Sequence, residues 1–536
     1  MSPSARLRLS TAGRVIAVMV AVAVATALAV LLPTGNDGPS DGRTTHPPSP
    51  AAKGQTAAEV REQLAGPDPD ARAFADPQGR TGKDRPNIVL ILTDDMIKSD
   101  LRYMPITRRV LGRAGVTFDQ ALSPHPLCCP ARAAILTGQY AQNNGVKSNQ
   151  APYDYEALRP GTALPVWLHR AEYRTAFTGK YLNGFTSRGP RQPGWDYWDA
   201  TMKNVYAYTP FATAQNKPEP TWHRNINITD YTNHRVTGLI DQWAPQRKPF
   251  FIWASYVAPH GRIVDGAGHS SSKAYPPERF LSKFTHAQSP SLRDPAFDET
   301  AVSDKNAFVR GEKVIPREKI NDVFRSRVRA LQAVDEGVGR IVARLRAHHE
   351  LDNTYLFFTS DNGFLLGEHR LLTKNVPYAQ SIGVPMLARG PGIPRGEHRS
   401  QRALMIDLAP TFADIANAQP LVTQDGASLL PTLERDQPLR ETVLIQAGPT
   451  RQGEAAAGWW WRGVTTDPYT YAHFFAEGFE ELYDHTVDPA ETDNLAGDPA
   501  YAEILAELRR RTDLLGLCAG ERSCSQSFPP LPAPAS

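Results

Sequence analysis

Apolar residues along this chain fall into short unbroken runs, and between the runs they recur at helical spacing. Residues 87–93 form a continuous apolar segment, which predicts a strand buried on both faces. Similar runs predict strands over 175–178, 250–257 and 355–359. Pro105 opens a helix that Gly115 can close, and 164–170 is a second helical stretch. Val236, Leu239, Ile240 and Trp243 share one helical face, while Phe324, Val328, Leu331, Val338, Ile341 and Leu345 mark a long amphipathic helix. This alternation predicts an α/β domain with a mainly parallel central sheet flanked by helices. Beyond Glu434 the pattern changes. Runs at 442–447, 459–465 and 469–475 predict a small antiparallel sheet, covered by a helix over 501–515.

Other stretches lack such periodicity. Residues 33–84 are rich in Pro, Gly, Ser, Ala and Asp and read as a flexible linker, with a short helix at 57–64. Residues 269–317 are polar with Pro and Ser clusters, and read as a long insertion over one face. At the start, Arg6, Arg8 and Arg14 precede an apolar run over 15–32. That pattern fits either a cleaved signal peptide or a retained anchor, so the chain is expected to be exported, secreted or held at the cell surface. The expected domains are therefore 1–32 leader, 33–84 linker, 85–434 catalytic, 435–520 small C-terminal α+β, and 521–536 Pro-rich tail.

Composition narrows the class. The 536 residues suffice for one large core and a satellite. With a net charge of only +3 and no basic tract outside the leader, nucleic acid is excluded as a partner. Four cysteines occur. Cys518 and Cys524 lie close together, which in an exported chain favours a local disulfide. Cys128 and Cys129 are adjacent; a strained vicinal disulfide or a four-cysteine zinc site are the bland readings, and the zinc site lacks paired C-x-x-C spacing.

The candidate chemistry sits at strand ends. Asp94 and Asp95 follow the 87–93 strand, and Asp361 and Asn362 follow the 355–359 strand. In open α/β sheets ligands gather at carboxyl ends of strands. Three carboxylates and an amide there suit a hard cation such as Ca²⁺ or Mg²⁺. Between the two pairs, Pro130 and Ala131 to Leu136 predict a helix whose start places Cys128 beside free N–H groups, with Arg132 close by. A nucleophile position, an anion-binding helix start and a metal would make a site for transfer at an anionic centre.

These residues carry a resemblance. Cys128-x-Pro130-x-Arg132 followed by Leu136-Thr137-Gly138 resembles the sulfatase signature of the alkaline phosphatase superfamily. The likeness runs from about Arg85 to Leu515 and includes Gly179-Lys180, Pro259-His260, Asp361-Asn362-Gly363, Lys374, Asp407-Leu408-Ala409-Pro410-Thr411 and Glu481-Leu482-Tyr483-Asp484. The double cysteine and Gly179-Lys180-Tyr181-Leu182-Asn183 look most like N-acetylglucosamine-6-sulfatases and extracellular heparan 6-sulfatases. The resemblance implies an alkaline-phosphatase-like large domain. It implies that a formylglycine-generating enzyme converts Cys128 to 3-oxoalanine (formylglycine), and that Asp94, Asp95, Asp361, Asn362 and the modified Cys128 bind one Ca²⁺. Arg132 would orient the formylglycine hydrate. Lys180 would contact the hydrate or the sulfate, and His260 and Lys374 would bind sulfate and assist the leaving oxygen. The implied substrate is a carbohydrate sulfate ester, of the N-acetylglucosamine-6-sulfate kind, or an aryl sulfate.

One position departs from the family pattern. Many sulfatases read Gly-Lys-Trp-His, but here Leu182 stands two residues after the lysine, followed by Asn183. Asn183, His125 and His369 are each able to reach the site. Trp195, Tyr197 and Trp198 read as a sugar-stacking platform or as loop packing, and Trp459 to Trp461 as a strand with alternate rings in and out. Two other functions fit the same residues: a phosphonate or phosphate ester hydrolase of the same superfamily, and a catalytically silent binder of sulfated glycans. The second requires a broken site, whereas Cys128, Arg132, Lys180, His260 and Lys374 are all present.

Overall fold

The computed structural model describes residues 85–535, apart from 186–190, 218, 247, 264–270, 451–454 and 457. The expected leader, linker and 57–64 helix lie outside the described residues. Among the described residues no helix is long and apolar enough to cross a membrane.

The chain folds around a ten-stranded sheet. Its strands are β1 (Asn87–Thr93), β2 (Val116–Phe118), β3 (Arg174–Gly179), β4 (Tyr197–Lys203), β5 (Phe211–Thr213), β6 (Thr221–His223), β7 (Phe250–Ser255), β8 (Thr354–Ser360), β9 (Met386–Arg389) and β10 (Glu397–Arg399). Their spatial order is β10-β2-β9-β8-β1-β7-β3-β4-β5-β6. The central run β8-β1-β7-β3-β4 is parallel throughout. β9 is antiparallel to both its neighbours, and β5 and β6 add antiparallel hairpins at the far edge. The sheet is therefore mixed, with a parallel centre. Every residue of β1, β7 and β8 is buried, as their continuous apolar runs require, because helices cover both faces. One face packs the helices Ile228–Trp243 and Arg317–Ala347, through Val236, Ile240, Leu331, Val338 and Ile341. The other packs Cys128–Thr137, Leu164–Arg170 and Leu408–Ala416.

A second sheet follows, β11 (Val443–Ala447), β12 (Trp461–Thr465), β13 (Tyr469–Phe474) and β14 (Phe479–Asp484), antiparallel throughout. The helix Ala502–Gly516 packs on it through Ile504, Leu508 and Leu515. Cys518 and Cys524 form a disulfide just beyond that helix.

Several local readings change. The single helix expected from Pro105 is a short α turn, Pro105–Thr107, running into a π-helical turn, Arg108–Gly112. The Asp335 carboxylate captures the amides of Ile106 (3.0 Å) and Thr107 (2.7 Å), which fixes this start against the long helix. The three tryptophans do not alternate in and out: Trp459, Trp460 and Trp461 are all buried. Only Trp461 lies in the strand. Trp459 is covered by the Arg462 guanidinium, 3.6 Å from its ring centre, and Trp460 packs edge-on against Phe308.

A buried ion pair joins the start of helix Leu408–Ala416 to the approach to the second sheet. Arg440 donates two bonds to Asp407, 2.7 and 2.8 Å, and Asp407 also accepts from the amides of Leu404 and Ala427. Both side chains are almost fully buried. Removing one partner strands the other charge, so Asp407→Ala is expected to lower unfolding free energy by about 3 kcal/mol. Denaturant midpoints of the two proteins measure this, and a midpoint shift near zero would show the pair to be dispensable.

Candidate active site

Four adjacent parallel strands end on one edge and deliver the charged residues. β8 leads into Asp361 and Asn362, β1 into Asp94 and Asp95, β3 into Lys180, and β7 runs on to His260. The ladder continues past the strand ends: Asp361 N bonds Thr93 O (3.2 Å) and Lys180 N bonds Ser255 O (3.0 Å). The approach at Lys180 needs a glycine. Gly179 has φ +107°, and a Cβ there would lie 1.8 Å from Ser255 O.

Cys128 opens the buried helix Cys128–Thr137, which Gly138 ends in the left-handed conformation at φ +68°. Leu127 precedes it without a side-chain cap, and the Cys129 amide donates instead to Asn149 Oδ1 (2.9 Å). Cys128 Sγ lies 3.4 Å from Asp94 Oδ1 and 2.8 Å from Lys374 Nζ. The Lys374 ammonium also contacts Asp95, and the Lys180 ammonium contacts Asp94.

One turn along the helix, Arg132 binds four partners at once. Nε donates to Asp361 (2.8 Å), Nη2 to Asp94 (3.3 Å), and Nη1 to Lys180 O (2.7 Å) and Ser255 Oγ (2.6 Å). Its guanidinium is 1% exposed. Asn362 donates to Asp95 Oδ1 (2.7 Å), and its own Oδ1 is buried with no partner among the described residues. Ligand atoms of Asp94, Asp95, Cys128 and His260 all lie within 4.8 Å of one another. The Asp361 oxygens face Arg132 and the amide of Asp95 (3.2 Å), one step behind that group.

This donor set fits a hard cation. Carboxylate oxygens converge, and the unpaired amide oxygen of Asn362 stands ready as a further ligand. The soft thiol of Cys128 is the exception, and an oxygen function in its place would match the rest. The charges also fit: three carboxylates face Arg132, Lys180 and Lys374, so a bound divalent cation would leave the site positive toward an anionic substrate.

The electrostatics keep Asp94, Asp95, Lys180 and Lys374 ionised. Burial raises the pKa of Asp94, but Lys180, His260 and Arg132 outweigh it and hold the carboxyl below its usual range. Asp95 is likewise depressed, against burial, by Lys374 and His260. Burial opposes charge on Lys180 and Lys374, yet the neighbouring carboxylates raise both. Burial, with Asp94, pushes the Cys128 thiol up to about 12.

His260 is placed from several sides. Its Nδ1 lies 2.7 Å from Gly261 O, Tyr208 OH donates to its carbonyl (2.8 Å), and Nε2 faces Asp95 at 3.6 Å. Its ring stacks on Tyr206 with centroids 4.1 Å apart. The same Tyr206 ring lies 4.8 Å from Lys180 Nζ, and its hydroxyl accepts from Asn183 Nδ2 (3.1 Å). Tyr206 has no signal in the sequence pattern, since it lies in the irregular loop between β4 and β5. Ser255, whose hydroxyl holds Arg132, was hidden as the last residue of an apolar strand.

The other candidates sit elsewhere. His125 is buried, accepts from the Gly448 amide (3.3 Å), and is pushed down to about 3 by burial, Arg462 and Lys147. His369 is buried against Glu299. Trp195 and Trp198 are packed in an aromatic cluster with Phe177, so they offer no sugar platform. A cleft of about 310 Å³ opens on Asp95, His260 and Lys374, with Ser148, Asn149, Gln150, Ser272 and Phe364 on its walls. A larger cavity, about 660 Å³, is lined by Lys98, Gln120, Arg293 and Asp467 and touches none of the convergent charges, so the smaller cleft is the candidate site.

A sequence profile described as Sulfatase matches residues 86–418. A profile described as N-sulphoglucosamine sulphohydrolase, C-terminal, matches residues 367–516. The chain is 32% identical over 392 residues to the putative extracellular sulfatase Sulf-1 homolog of Caenorhabditis elegans, a match covering 68% of this chain and 52% of that protein. The chain thus spans about half the length of that relative. It is 31% identical over 501 residues to N-acetylglucosamine-6-sulfatase of Homo sapiens, covering 82% of this chain and 86% of that protein. A solved structure of a protein in complex with its substrate D-glucosamine-2-N,6-O-disulfate superposes with a TM-score of 0.68 at 22% identity, covering 80% of this chain and 97% of that one. At that identity the structural likeness bears on fold alone.

Proposed function

The chain belongs to the sulfatase family, and from that membership we propose that it hydrolyses carbohydrate sulfate esters, with 6-O-sulfated N-acetylglucosamine units preferred. The observation that carries this is the convergence of Cys128, Asp94, Asp95, Arg132, Lys180, His260 and Lys374 at one sheet edge beside an open cleft. The reading includes conversion of Cys128 to formylglycine by a maturation enzyme and one Ca²⁺ held by Asp94, Asp95, Asp361, Asn362 and position 128. When present, these two groups would supply a hydrated aldehyde as nucleophile and positive charge at the sulfuryl oxygens.

The chain's own residues do the rest. Arg132 fixes Asp94 and Asp361 and presents positive charge beside position 128. Lys180 and Lys374 offset the charge of the sulfate. His260, with Nδ1 tied to Gly261 O, would bind the sulfate and, when protonated at Nε2, assist the leaving alcohol oxygen; burial works against that protonated form, and Asp95 beside Nε2 (3.6 Å) works for it. Residues 85–434 would form the catalytic unit and 435–520 the small C-terminal unit. The 15–32 segment would export the chain or anchor it at the cell surface.

Tyr206 holds His260 and Lys180 through its ring face. Tyr206→Leu is expected to cut kcat/KM about tenfold, from loss of a cation–π contact and of stacking, while Tyr206→Phe keeps most activity. Equal losses in both variants would assign the role to the hydroxyl instead.

The test is sulfate release by mature protein from N-acetylglucosamine-6-sulfate and p-nitrophenyl sulfate, beside p-nitrophenyl phosphate and a phosphonate ester. Release from the sulfate esters, lost with a chelator and restored by Ca²⁺, is the expected result. Faster turnover of the phosphorus esters would instead make the protein a phosphohydrolase of the same fold.

A further inference from the structure

The polar stretch read from sequence as an insertion makes close contact with the loop that carries Lys374. Residues 365–373 form a hairpin: Leu365 N bonds Thr373 O (2.8 Å), and Gly367 N bonds Leu371 O (2.8 Å). At its tip His369 and Arg370 hold φ +51° and +61°. Left-handed backbone at two consecutive non-glycine residues persists only where the surroundings hold it. Segment 294–300 supplies that hold. His369 N bonds Ala296 O (2.9 Å), and Phe297 bridges Glu368 in antiparallel fashion. Arg370 donates to Glu299 O (2.8 Å) and Thr300 O (3.0 Å). The two segments touch so closely that a Cβ on Gly367 would lie 2.4 Å from the Phe297 ring.

A buried polar cluster anchors this contact. His369 is fully buried, with Nδ1 2.9 Å from Glu299 Oε2 and its ring stacked on Tyr378 at 3.9 Å. Among the described residues its Nε2 has no hydrogen-bond partner, so there Glu299 is the ring's one hydrogen-bonded tie. Glu299 in turn lies 3.1 Å from the ammonium of Lys305, itself fully buried and bonded to Asp304 (2.8 Å) and Thr492 O (2.5 Å). On the far side of Lys374, the Trp461 indole donates to Asn375 O (3.0 Å).

We propose that Glu299 and His369 are positioning residues for Lys374. Segment 294–306 straps the 365–373 hairpin so that the Lys374 ammonium stays against Asp95 and Cys128. Lysine is a point charge on a flexible four-carbon stem, so its reach is only as well defined as the backbone that carries it. A displacement of an ångström in such a group is enough to lower a rate a hundredfold. The proposal rests on Lys374 acting in the reaction proposed above, and none of the strap residues touches the cleft.

The test is a double-mutant cycle joined to hydrogen exchange. Glu299→Ala should lower kcat/KM about tenfold or more in the native background, and less than about twofold when Lys374→Ala is already present. His369→Leu should behave the same way, while His369→Asn, whose amide nitrogen replaces Nδ1, should restore most activity. Arg370→Ala removes two strap bonds at a less buried position, and stands in if Glu299→Ala does not fold. In each active-impaired variant the amides of Leu365, Gly367 and Leu371 should exchange faster. Equal factors in both backgrounds, or unchanged exchange in 365–373, overturn the proposal while leaving the sulfatase reading intact. If mature native protein releases no sulfate from any ester, that reading fails. Exchange then decides the strap alone: faster exchange confined to 365–373 upholds it, and unchanged exchange overturns it.

Discussion

Cys128→Ala is expected to abolish sulfate release, whereas Cys129→Ala is expected to leave most of it. The two side chains are adjacent and both buried, but they face different surroundings. Cys128 Sγ lies between Asp94 and the Lys374 ammonium, where the convergent charges meet. Alanine there removes the thiol that the proposed maturation needs, so no aldehyde hydrate could form at position 128. Cys129 points the other way. Its Sγ lies 3.6 Å from Asn183 O and packs in the main core. Its truncation deletes one buried sulfur, worth about 1 kcal/mol of stability. The check is turnover per folded molecule, with near-ultraviolet circular dichroism to confirm folding. Equal loss in two well-folded variants would contradict the assignment of the nucleophile.

Arg132→Ala comes next in size. The guanidinium is the hub of the site, tying β1, β3, β7 and β8 through Asp94, Lys180 O, Ser255 and Asp361. Without it, two buried carboxylates lose a compensating charge, which costs about 3–5 kcal/mol. It also removes positive charge from beside position 128, so turnover should fall about a thousandfold. Arg132→Lys should not rescue it, because one ammonium cannot reach four partners in a planar fork. Steady-state kinetics and denaturant midpoints on both variants decide this. Near-native turnover by the lysine variant would show that charge alone, not the fork, is needed.

How far the sequence could be read depended on whether a residue's role was local. β1 and β8 were legible because burial on both faces forces unbroken apolar runs, and the acidic pairs that follow them mark the site's edge. The helix starting at Cys128 was legible from Pro130 and the alanines. The three-residue strands β2, β5, β6 and β10 were not, being too short to carry a period. Histidines were harder still. His125, His260 and His369 all lie in loops, and only packing separates them: one is sealed against Gly448, one faces the cleft, and one is held by Glu299. Tyr206 illustrates the same limit, since its contacts with Lys180 and His260 join segments far apart in the chain. The polar stretch after 269 gave no periodic signal because much of its order comes from contacts with the 365–373 hairpin and the long helix Arg317–Ala347, not from its own pattern.

The most direct test of the central claim is the mass of the peptide spanning Ala114 to Arg132, released by trypsin from protein made in its native host. The account predicts a peptide lighter than the encoded one by a sulfur and two hydrogens and heavier by one oxygen, with the change at Cys128 and Cys129 intact. Two unmodified thiols, or a Cys128–Cys129 disulfide, in protein that nevertheless turns over sulfate esters would contradict it.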